Sequence, residues 1–361
     1  MNQNMSVYKP DWQEARLRMI NWLEGKGNDR VVASVTSPIF RGNSQKTYIS
    51  DVPAKYVDYK TVFNNLDHSL EHVFWGAEAF PLHLVSLGPM FHQTFLGSEP
   101  NFSPTTTWYE PCYESLDELA DFEFDRNNCW WKLVKEMVTR SAQRSNGRYL
   151  TSIGGIVAII DTIAGLIGNE KLLLAMTDEP DKLKAVRDRI AAWGKETYDD
   201  LYAITKDYSD GTIDWMGIWS PQKVCTTQCD LSVMISPEMF RDYVLEDIES
   251  SYASVDYGIY HLDGEEQIRH LDILLSIEKL KLIQWVPSSK VNMPVYEDPL
   301  NWIKLFKQIQ DAGKSVLIYC PPERVHELLQ KIAKDKVFLN VNCRDEKSAQ
   351  QIIIELEQIG I

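Results

Sequence analysis

Short apolar or β-branched runs alternate with longer amphipathic stretches along the chain, and the two kinds of segment predict strands and helices. Eight of the short runs have the length and the aliphatic or aromatic content of buried strands. The predicted strands cover residues 31–37, 80–86, 149–153, 212–219, 257–262, 280–285, 315–320 and 337–342.

The stretches between the later strands have helical periodicity. Residues 182–205 place apolar side chains at helical spacing, and residues 236–251 open with a Ser-Pro pair that is typical of a helix start. Three more amphipathic stretches each follow a predicted strand, at 299–311, 322–333 and 345–358. This alternation of strand and helix predicts a parallel sheet with helices outside it.

Eight strands in this order predict an α/β protein with one domain over residues 1–361, a closed (β/α)8 TIM barrel. An open, doubly wound sheet is the alternative, but it usually carries a Gly-rich loop where this chain reads Ser-Pro-Ile-Phe-Arg. Residues 1–30 are predicted to form an N-terminal helical extension. Residues 87–129, which contain four prolines, are expected to leave the barrel after strand two and to cover its mouth.

The composition is that of an ordinary globular protein, with 44% hydrophobic and 25% charged residues in 361. The sequence has no run of 18 apolar residues and no recognisable signal peptide, so we expect no membrane span and a cytoplasmic location. A net charge of −15 disfavours nucleic acid and acidic membrane surfaces as partners. The six scattered cysteines are expected to be thiols, because no Cys-x-x-Cys pair is present.

In a barrel of this kind, reactive groups lie at the carboxyl ends of the strands. His261 and Asp263 are two residues apart at the end of the fifth strand, so both side chains are expected to face the mouth as a catalytic pair. Cys320, at the end of the seventh strand, would complete a set of ligands that Zn²⁺ accepts. In the structural alternative, His261 bonds a backbone carbonyl, Asp263 caps a helix and Cys320 is a small buried apolar residue.

Other residues at the strand ends are candidates for substrate binding. Trp215, Trp219 and Trp285 would suit a flat or sugar-like ligand. Arg41 and Arg344 follow the first and eighth strands, which are neighbours in a closed barrel. They would bind a substrate carboxylate or pair with surface acids.

Three polar residues lie in or beside apolar runs and have structural interpretations. His83 is expected to be a core histidine with its hydrogen bonds satisfied, and Glu78 a turn or cap carboxylate. Asp161 is either a helix cap or a functional carboxylate.

Several segments around these residues resemble the uroporphyrinogen decarboxylase superfamily. The most specific are Ser-Pro-Glu-Met-Phe-Arg-Asp-Tyr-Val-Leu at 236–245, Tyr-His-Leu-Asp-Gly at 260–264, His-Leu-Asp at 270–272 and Ile-Gln-Trp-Val-Pro at 283–287. The chain is most similar to a bacterial, decarboxylase-like branch of the superfamily. This resemblance implies a (β/α)8 barrel with a cleft at its carboxyl face, and a homodimer.

The superfamily has two well-known chemistries. Its decarboxylases act on uroporphyrinogen without a cofactor, but this chain lacks their Asp near the end of strand two and keeps only Arg41 of their Arg-containing segment after strand one. Its methyltransferases use zinc to pass a methyl group between a methyl-corrinoid and a thiol. Of their His-x-Cys and later Cys, this chain matches His261 and Cys320, and has Asp263 in place of the first Cys.

The resemblance therefore favours a methyltransferase that acts on a small molecule, with Zn²⁺ held by His261, Asp263 and Cys320. It implies a methyl-corrinoid cosubstrate carried by a partner protein, and no nucleotide cofactor. Two alternatives stay open. One is an altered uroporphyrinogen decarboxylase, a carboxy-lyase of porphyrin biosynthesis, and the other is a non-catalytic barrel that binds a small molecule.

Overall fold

The structure, a computed structural model, describes residues 7–39, 51–155, 157–287 and 297–361. The strands are β1 (Val32–Pro38), β2 (Val73–Ala77), β3 (Leu82–Leu84), β4 (Pro100–Phe102), β5 (Thr107–Tyr109), β6 (Leu150–Ser152), β7 (Thr212–Ile213), β8 (Trp219–Ser220), β9 (Val224–Thr227), β10 (Tyr257–Asp263), β11 (Leu280–Val286), β12 (Ser315–Tyr319) and β13 (Val337–Asn342). The α-helices are α1 (Trp12–Leu23), α2 (Ala54–Val57), α3 (Tyr59–His72), α4 (Leu116–Ala120), α5 (Cys129–Ser145), α6 (Ile159–Ile167), α7 (Asn169–Asp178), α8 (Pro180–Thr205), α9 (Pro237–Met239), α10 (Glu246–Ala253), α11 (Leu271–Ser276), α12 (Ile303–Asp311), α13 (Val325–Leu329) and α14 (Glu346–Ile359). A π-helix, Phe240–Leu245, joins α9 to α10.

The main sheet contains seven strands in the order β2-β1-β13-β12-β11-β10-β9. In this sheet order, all neighbouring strands from β1 through β13, β12, β11 and β10 to β9 are parallel. Strand β2 pairs antiparallel with β1 at one edge. Strands β3 and β6 form a separate parallel ladder. The prediction of an α/β protein built on a parallel sheet is therefore confirmed. None of the described helices is long and apolar enough to cross a membrane.

The strands follow the order predicted for a barrel, but within the described ranges their hydrogen-bonded ladder does not close. One interruption lies between β1 and β3, because β2 occupies the free edge of β1. The other lies between β6 and β9. The backbones still come close there, since a Cβ added to Gly155 would lie 2.3 Å from the carbonyl oxygen of Thr226. The prediction of a closed ladder is thus not met by these strands.

The fourth strand was predicted in the wrong place. Residues 212–219 belong to an antiparallel hairpin, β7 and β8, and the strand that pairs with β10 is β9. The buried carboxylate of Asp214 closes the hairpin turn by accepting the backbone N–H groups of Met216 and Ile218, at 3.1 and 2.8 Å. It also accepts the Thr226 hydroxyl of β9. The aromatic and β-branched content of the hairpin resembles that of a strand, but this aspartate turns the chain.

Alternation along the parallel strands separates two apolar cores. The inner core contains Ile259, Leu282, Leu317 and Phe338, together with residues of the N-terminal helix α1. The outer core lies between the strands and the surrounding helices and contains the side chains of opposite parity, such as Leu262. Alternate residues of β10 thus face alternate cores. A polar side chain on β10 faces the interior of the curved sheet only when it is an even number of residues from Ile259, and we call this the inner parity.

Candidate functional site

A cavity of about 540 Å³ lies where the carboxyl ends of four parallel strands meet, β3, β6, β9 and β10. Residues that follow these strands form its walls, and residues 88–92 of the long segment after β3 also contribute. The lining residues are Leu84, Ser86, Gly88, Pro89, Met90, Phe91, His92, Gly154, Gly155, Ala158, Trp215, Thr226, Thr227, Gln228, Asp230, His261 and Asp263. This is the end of the sheet at which barrel enzymes carry their active sites.

His261 is held in one orientation by its neighbours on the inner face of the sheet. Its Nδ1 forms a short hydrogen bond with Oε1 of Gln284 on β11, and Gln284 Nε2 donates to the hydroxyl of Tyr319 on β12 at 3.0 Å. The imidazole also packs edge-to-face against Trp215, with ring centroids 5.4 Å apart. Because an amide oxygen only accepts, Nδ1 carries the proton, and Nε2 is the nitrogen available for acid–base chemistry.

Asp263 and Asp230 bring two carboxylates to the same cavity. Asp263 Oδ2 lies 3.9 Å from His261 Nε2. The pKa of the Asp230 carboxyl is raised, first by loss of solvation at the crowded mouth. His261 opposes this shift, and the negative charge of Asp263 adds to it. The charges of His261 and Asp263 therefore act on the Asp230 carboxyl, and these three groups are the candidate reactive groups of the cavity.

Asp230 was not among the site residues predicted from the sequence. The error has the same origin as the misplaced fourth strand, since 212–219 leaves Asp230 far from a strand end. With β9 at Val224–Thr227, Asp230 is three residues past the strand and belongs to the set that faces the mouth. The β-branched content of Val224–Thr227, a valine and two threonines in four residues, was the sequence signal that could have revealed it.

Asp161 holds the loop that carries Asp230. Its buried carboxylate accepts the backbone N–H groups of Asp230 at 2.7 Å and Leu231 at 3.0 Å, the first residues of the 3₁₀ helix Asp230–Met234. Burial, followed by the charge of Asp230, raises the pKa of Asp161 to about 7. Asp161 is therefore a capping carboxylate for a neighbouring segment, which agrees with the first of the two interpretations made from the sequence.

The other side of this loop is held by residues in or beside the segments that carry the family resemblance. The buried His270 ring stacks on Phe240 of the π-helix, with centroids 4.3 Å apart, and its Nε2 bonds the Ser232 carbonyl at 2.9 Å. Gln267 donates to the Cys229 carbonyl at 3.3 Å. These specific segments therefore position the loop of Asp230.

Cys320 does not reach the pair formed by His261 and Asp263. Tyr319 has the parity of the inner face, so the next residue, Cys320, belongs to the outer core, where it is 1% exposed. Its thiol donates to the Pro321 carbonyl at 3.4 Å, and burial raises its pKa to about 12. The alternative interpretation of Cys320 as a small buried apolar residue is the one the structure supports.

The predicted zinc ligands are consequently not assembled. Across the described ranges, no three or more His, Cys, Asp or Glu side chains are grouped so as to hold a metal ion. The Cys320 side chain, whose thiolate would make the set suitable for Zn²⁺, lies in the outer core, and burial raises the pKa of its thiol. The residues present therefore do not fit the zinc site that the resemblance implies.

The three tryptophans predicted to bind substrate have three different surroundings. Trp215 lines the cavity beside His261. Trp219 is fully buried against Trp12 of α1, with centroids 6.4 Å apart, and does not line the cavity. Trp285 packs edge-on against Trp302 in the outer core, at 4.8 Å. The predictions for Trp219 and Trp285 were wrong because parity and tertiary packing turn both rings away from the mouth.

Of the two predicted arginines, Arg344 lies in the described part of the chain and does not line the cavity. Arg344 follows β13, but its side chain is 87% exposed and pairs with the adjacent Asp345 at 3.2 Å, which is the surface alternative. Arg41 lies outside the described residues.

His83 and Glu78 are structural residues. His83 Nδ1 bonds the Ser141 hydroxyl at 2.8 Å, and burial lowers its pKa to about 4, as expected of a core histidine. Glu78 lies in the turn after β2, as expected, and its fully buried carboxylate pairs with Arg30, with both oxygens 2.9 Å from the guanidinium nitrogens. Neither side chain lines the cavity.

No protein-family model and no curated protein matches this chain. Among solved structures, it is similar to a B12-independent methionine synthase from a Shewanella species, in complex with selenomethionine. The two chains are 10% identical over 73% of each, with a TM-score of 0.37. Neither fold nor reaction is inferred from a similarity this weak.

Proposed function

We propose that this protein is an enzyme of the uroporphyrinogen decarboxylase superfamily that passes a methyl group from a methyl-corrinoid to a small molecule bound in the cavity. The observation that carries the proposal is His261, whose ring is held by Gln284 while its free nitrogen faces Asp263 at a strand end. The strand order and the close approach of Gly155 to Thr226 support a barrel. In this barrel, the seven-stranded sheet and the β3–β6 pair would together form one ring of strands.

His261 is the proposed general base. A thiol or hydroxyl acceptor would give its proton to Nε2 as its sulfur or oxygen attacks the methyl carbon, and the bond from that carbon to the donor would break. Asp263 would stabilise the imidazolium, because 3.9 Å is an ion-pair distance once the ring is charged. A positioned base of this kind contributes roughly 10²–10⁴-fold to a rate.

The methyl-corrinoid donor, its partner protein and the homodimer belong to the same proposal and rest on the sequence resemblance. Zinc is left out of the reaction, because Cys320 is directed into the outer core. The cavity also disfavours uroporphyrinogen, a substrate with as many as eight carboxylates. Its described lining contains two carboxylates and neither Lys nor Arg.

The test is the anaerobic transfer of a methyl group from methylcobalamin to coenzyme M. The loss of methylcobalamin absorbance measures its rate. The wild-type protein should accelerate transfer, and His261→Gln should lower the rate at least about 100-fold. The matched control is His326→Gln, because His326 is an exposed histidine on α13 and should tolerate the change. Equal rates with and without wild-type protein would contradict the proposal, as would full activity of the His261 variant.

A further inference from the structure

A second histidine, His92, lines the cavity that contains His261. It belongs to the 3₁₀ helix Phe91–Leu96, in the long segment after β3. The residue before this helix, Met90, has a φ of 55°, a left-handed conformation that a methionine rarely adopts. Such a conformation persists only where the surrounding structure holds it, so the fold fixes the start of the helix and with it the position of His92.

Aromatic packing orients the His92 ring. The imidazole stacks on Phe91, with ring centroids 4.2 Å apart and planes at 26°, and it meets Phe95 edge-to-face at 5.9 Å. Phe95 is itself buried against Trp131, at 5.2 Å. The ring is therefore supported through its faces and edges, and this support makes no use of its nitrogens.

Neither ring nitrogen of His92 has a hydrogen-bond partner among the residues that the structure describes. The histidines of the core differ in this respect, since His83 bonds the Ser141 hydroxyl and His270 bonds the Ser232 carbonyl. The His92 side chain is partly exposed and lines the cavity. Its nitrogens are thus available to a bound molecule.

The His92 ring is uncharged at physiological pH, because burial lowers its pKa to about 4. A neutral imidazole still donates one hydrogen bond from its N–H group and accepts one at its other nitrogen. That N–H group is a very weak acid, so it stabilises a nearby anionic atom and keeps its proton.

The proposed reaction creates negative charge in a cavity that otherwise opposes it. When His261 takes the proton of the acceptor, the sulfur or oxygen of the acceptor becomes anionic. Asp230 and Asp263 line the same cavity and disfavour that charge. The described lining includes no Lys or Arg to offset them. A hydrogen-bond donor in the wall would therefore lower the free energy of the anionic acceptor.

Two hydroxyl donors of the lining are already engaged with protein groups. The Ser86 hydroxyl donates to the Gly88 carbonyl at 2.9 Å. The Thr226 hydroxyl donates to Asp214. His92, in contrast, has an N–H group that no described residue accepts.

We propose that His92 donates a hydrogen bond to the nucleophilic sulfur or oxygen of the methyl acceptor and stabilises the negative charge that forms there as His261 removes its proton. His92 keeps its own proton throughout. The inference rests on the proposed function for the identity of the acceptor atom, but the hydrogen bond is testable without any methyl transfer.

Binding of para-nitrophenol to the full-length protein tests this hydrogen bond, because the probe has an ionisable hydroxyl and its phenolate absorbs visible light. Absorbance titration gives the pKa of the bound probe. His92→Phe keeps an aromatic ring beside Phe91 but removes the donor, so it should raise that pKa by about 1, a roughly tenfold change in ionisation. His92→Gln keeps a donor and should lie closer to wild type. His326→Phe, at an exposed histidine on α13, is the control and should leave the pKa unchanged.

The same probe pKa in wild type and His92→Phe would overturn the inference, as would no binding of the probe to wild type. An equal rise in the Phe and Gln variants would also overturn it, because it would show that ring packing and not the donor is responsible. Circular dichroism verifies that each variant is folded.

The methyl-transfer assay separates this inference from the proposed function. His92→Phe should lower the transfer rate at least about tenfold. Transfer at the wild-type rate by this variant rejects the role of His92 alone. A probe pKa that depends on His92, in a protein that transfers no methyl group, rejects only the proposed function.

Discussion

The Nε2 atom of His261 lies 3.9 Å from the Oδ2 atom of Asp263, two residues further along the same strand. Strand alternation places both side chains on the inner face at the carboxyl end of β10. The separation is too long for a hydrogen bond but suitable for an ion pair, so Asp263 stabilises a protonated ring without holding its Nε2 proton permanently. This geometry supports the proposed role of His261 as a general base.

Gln284→Leu should destabilise the protein by about 1–3 kcal/mol, because the buried amide is the partner of His261 Nδ1 and bonds Tyr319. It should also lower the methyl-transfer rate, since the ring would lose its orientation. Urea unfolding measures the first effect. Gln350→Leu is the control, because Gln350 is exposed on α14 and bonds only Glu346 among its described contacts, so a change within about 0.5 kcal/mol is expected. A Gln284 variant as stable as this control would contradict the assigned hydrogen bonds.

Asp161 should make stability fall as pH rises. Its folded pKa of about 7 is above the unfolded value of 3.8, so between about pH 4 and 7 the folded state holds a proton that the unfolded state has lost. The unfolding free energy of wild type minus that of Asp161→Asn should therefore decrease across this window, by up to about 1.4 kcal/mol per pH unit, and level off above pH 7. Urea unfolding at several pH values measures it. A constant difference from pH 4 to 7 would show that Asp161 has an ordinary pKa.

Glu78→Gln should cost about 3–5 kcal/mol of unfolding free energy. The change leaves the buried guanidinium of Arg30 without its bidentate partner and weakens the bond to the Ala33 N–H group. Thermal or urea unfolding measures the loss. Glu327→Gln, at a half-exposed side chain on α13, removes surface ion pairs with Arg324 and Lys331 and should cost less than about 1 kcal/mol. Similar losses in the two variants would mean that the Arg30 pair is hydrated.

Cys320 should be unreactive in the folded protein. Its thiol is buried, with a pKa raised to about 12, whereas Cys129 is exposed. Brief alkylation with iodoacetamide at pH 8, followed by peptide mass spectrometry, should modify Cys129 at least about tenfold faster than Cys320, because the thiolate is the reactive form. Unfolding in urea should abolish the difference. Equal rates in the native protein would place Cys320 at the surface and restore it as a metal ligand.

Zinc binding should not depend on Cys320. Wild type and Cys320→Ser, each loaded with zinc and desalted, should retain the same near-zero amount of metal by elemental analysis, because the thiol does not face His261. One zinc ion per wild-type chain that is lost in the serine variant would show that the thiolate does reach the mouth.

Much of the later half of the fold could be predicted from local pattern. The predicted strands at 257–262, 280–285 and 337–342 agree with β10, β11 and β13, and the helical stretch 182–205 agrees with α8. In these regions the element that the apolar periodicity predicts is also the one that buries its apolar side chains in the folded protein. The hairpin at 212–219 is different, because a single buried carboxylate, Asp214, turns a strand-like run back on itself.

Within the site, the sequence alone determined that His261 and Asp263 share a face, because period-two alternation is a property of neighbouring residues on one strand. Only the tertiary structure decided what joins them. Asp230 enters the cavity because a carboxylate on α6 holds its loop beside β10, and Cys320 is excluded because its side chain lies on the outer face of β12, in the outer core. Contacts between distant segments, and the choice of which strand face turns inward, depend on packing across the whole sheet, which a local pattern of apolar and polar residues does not encode.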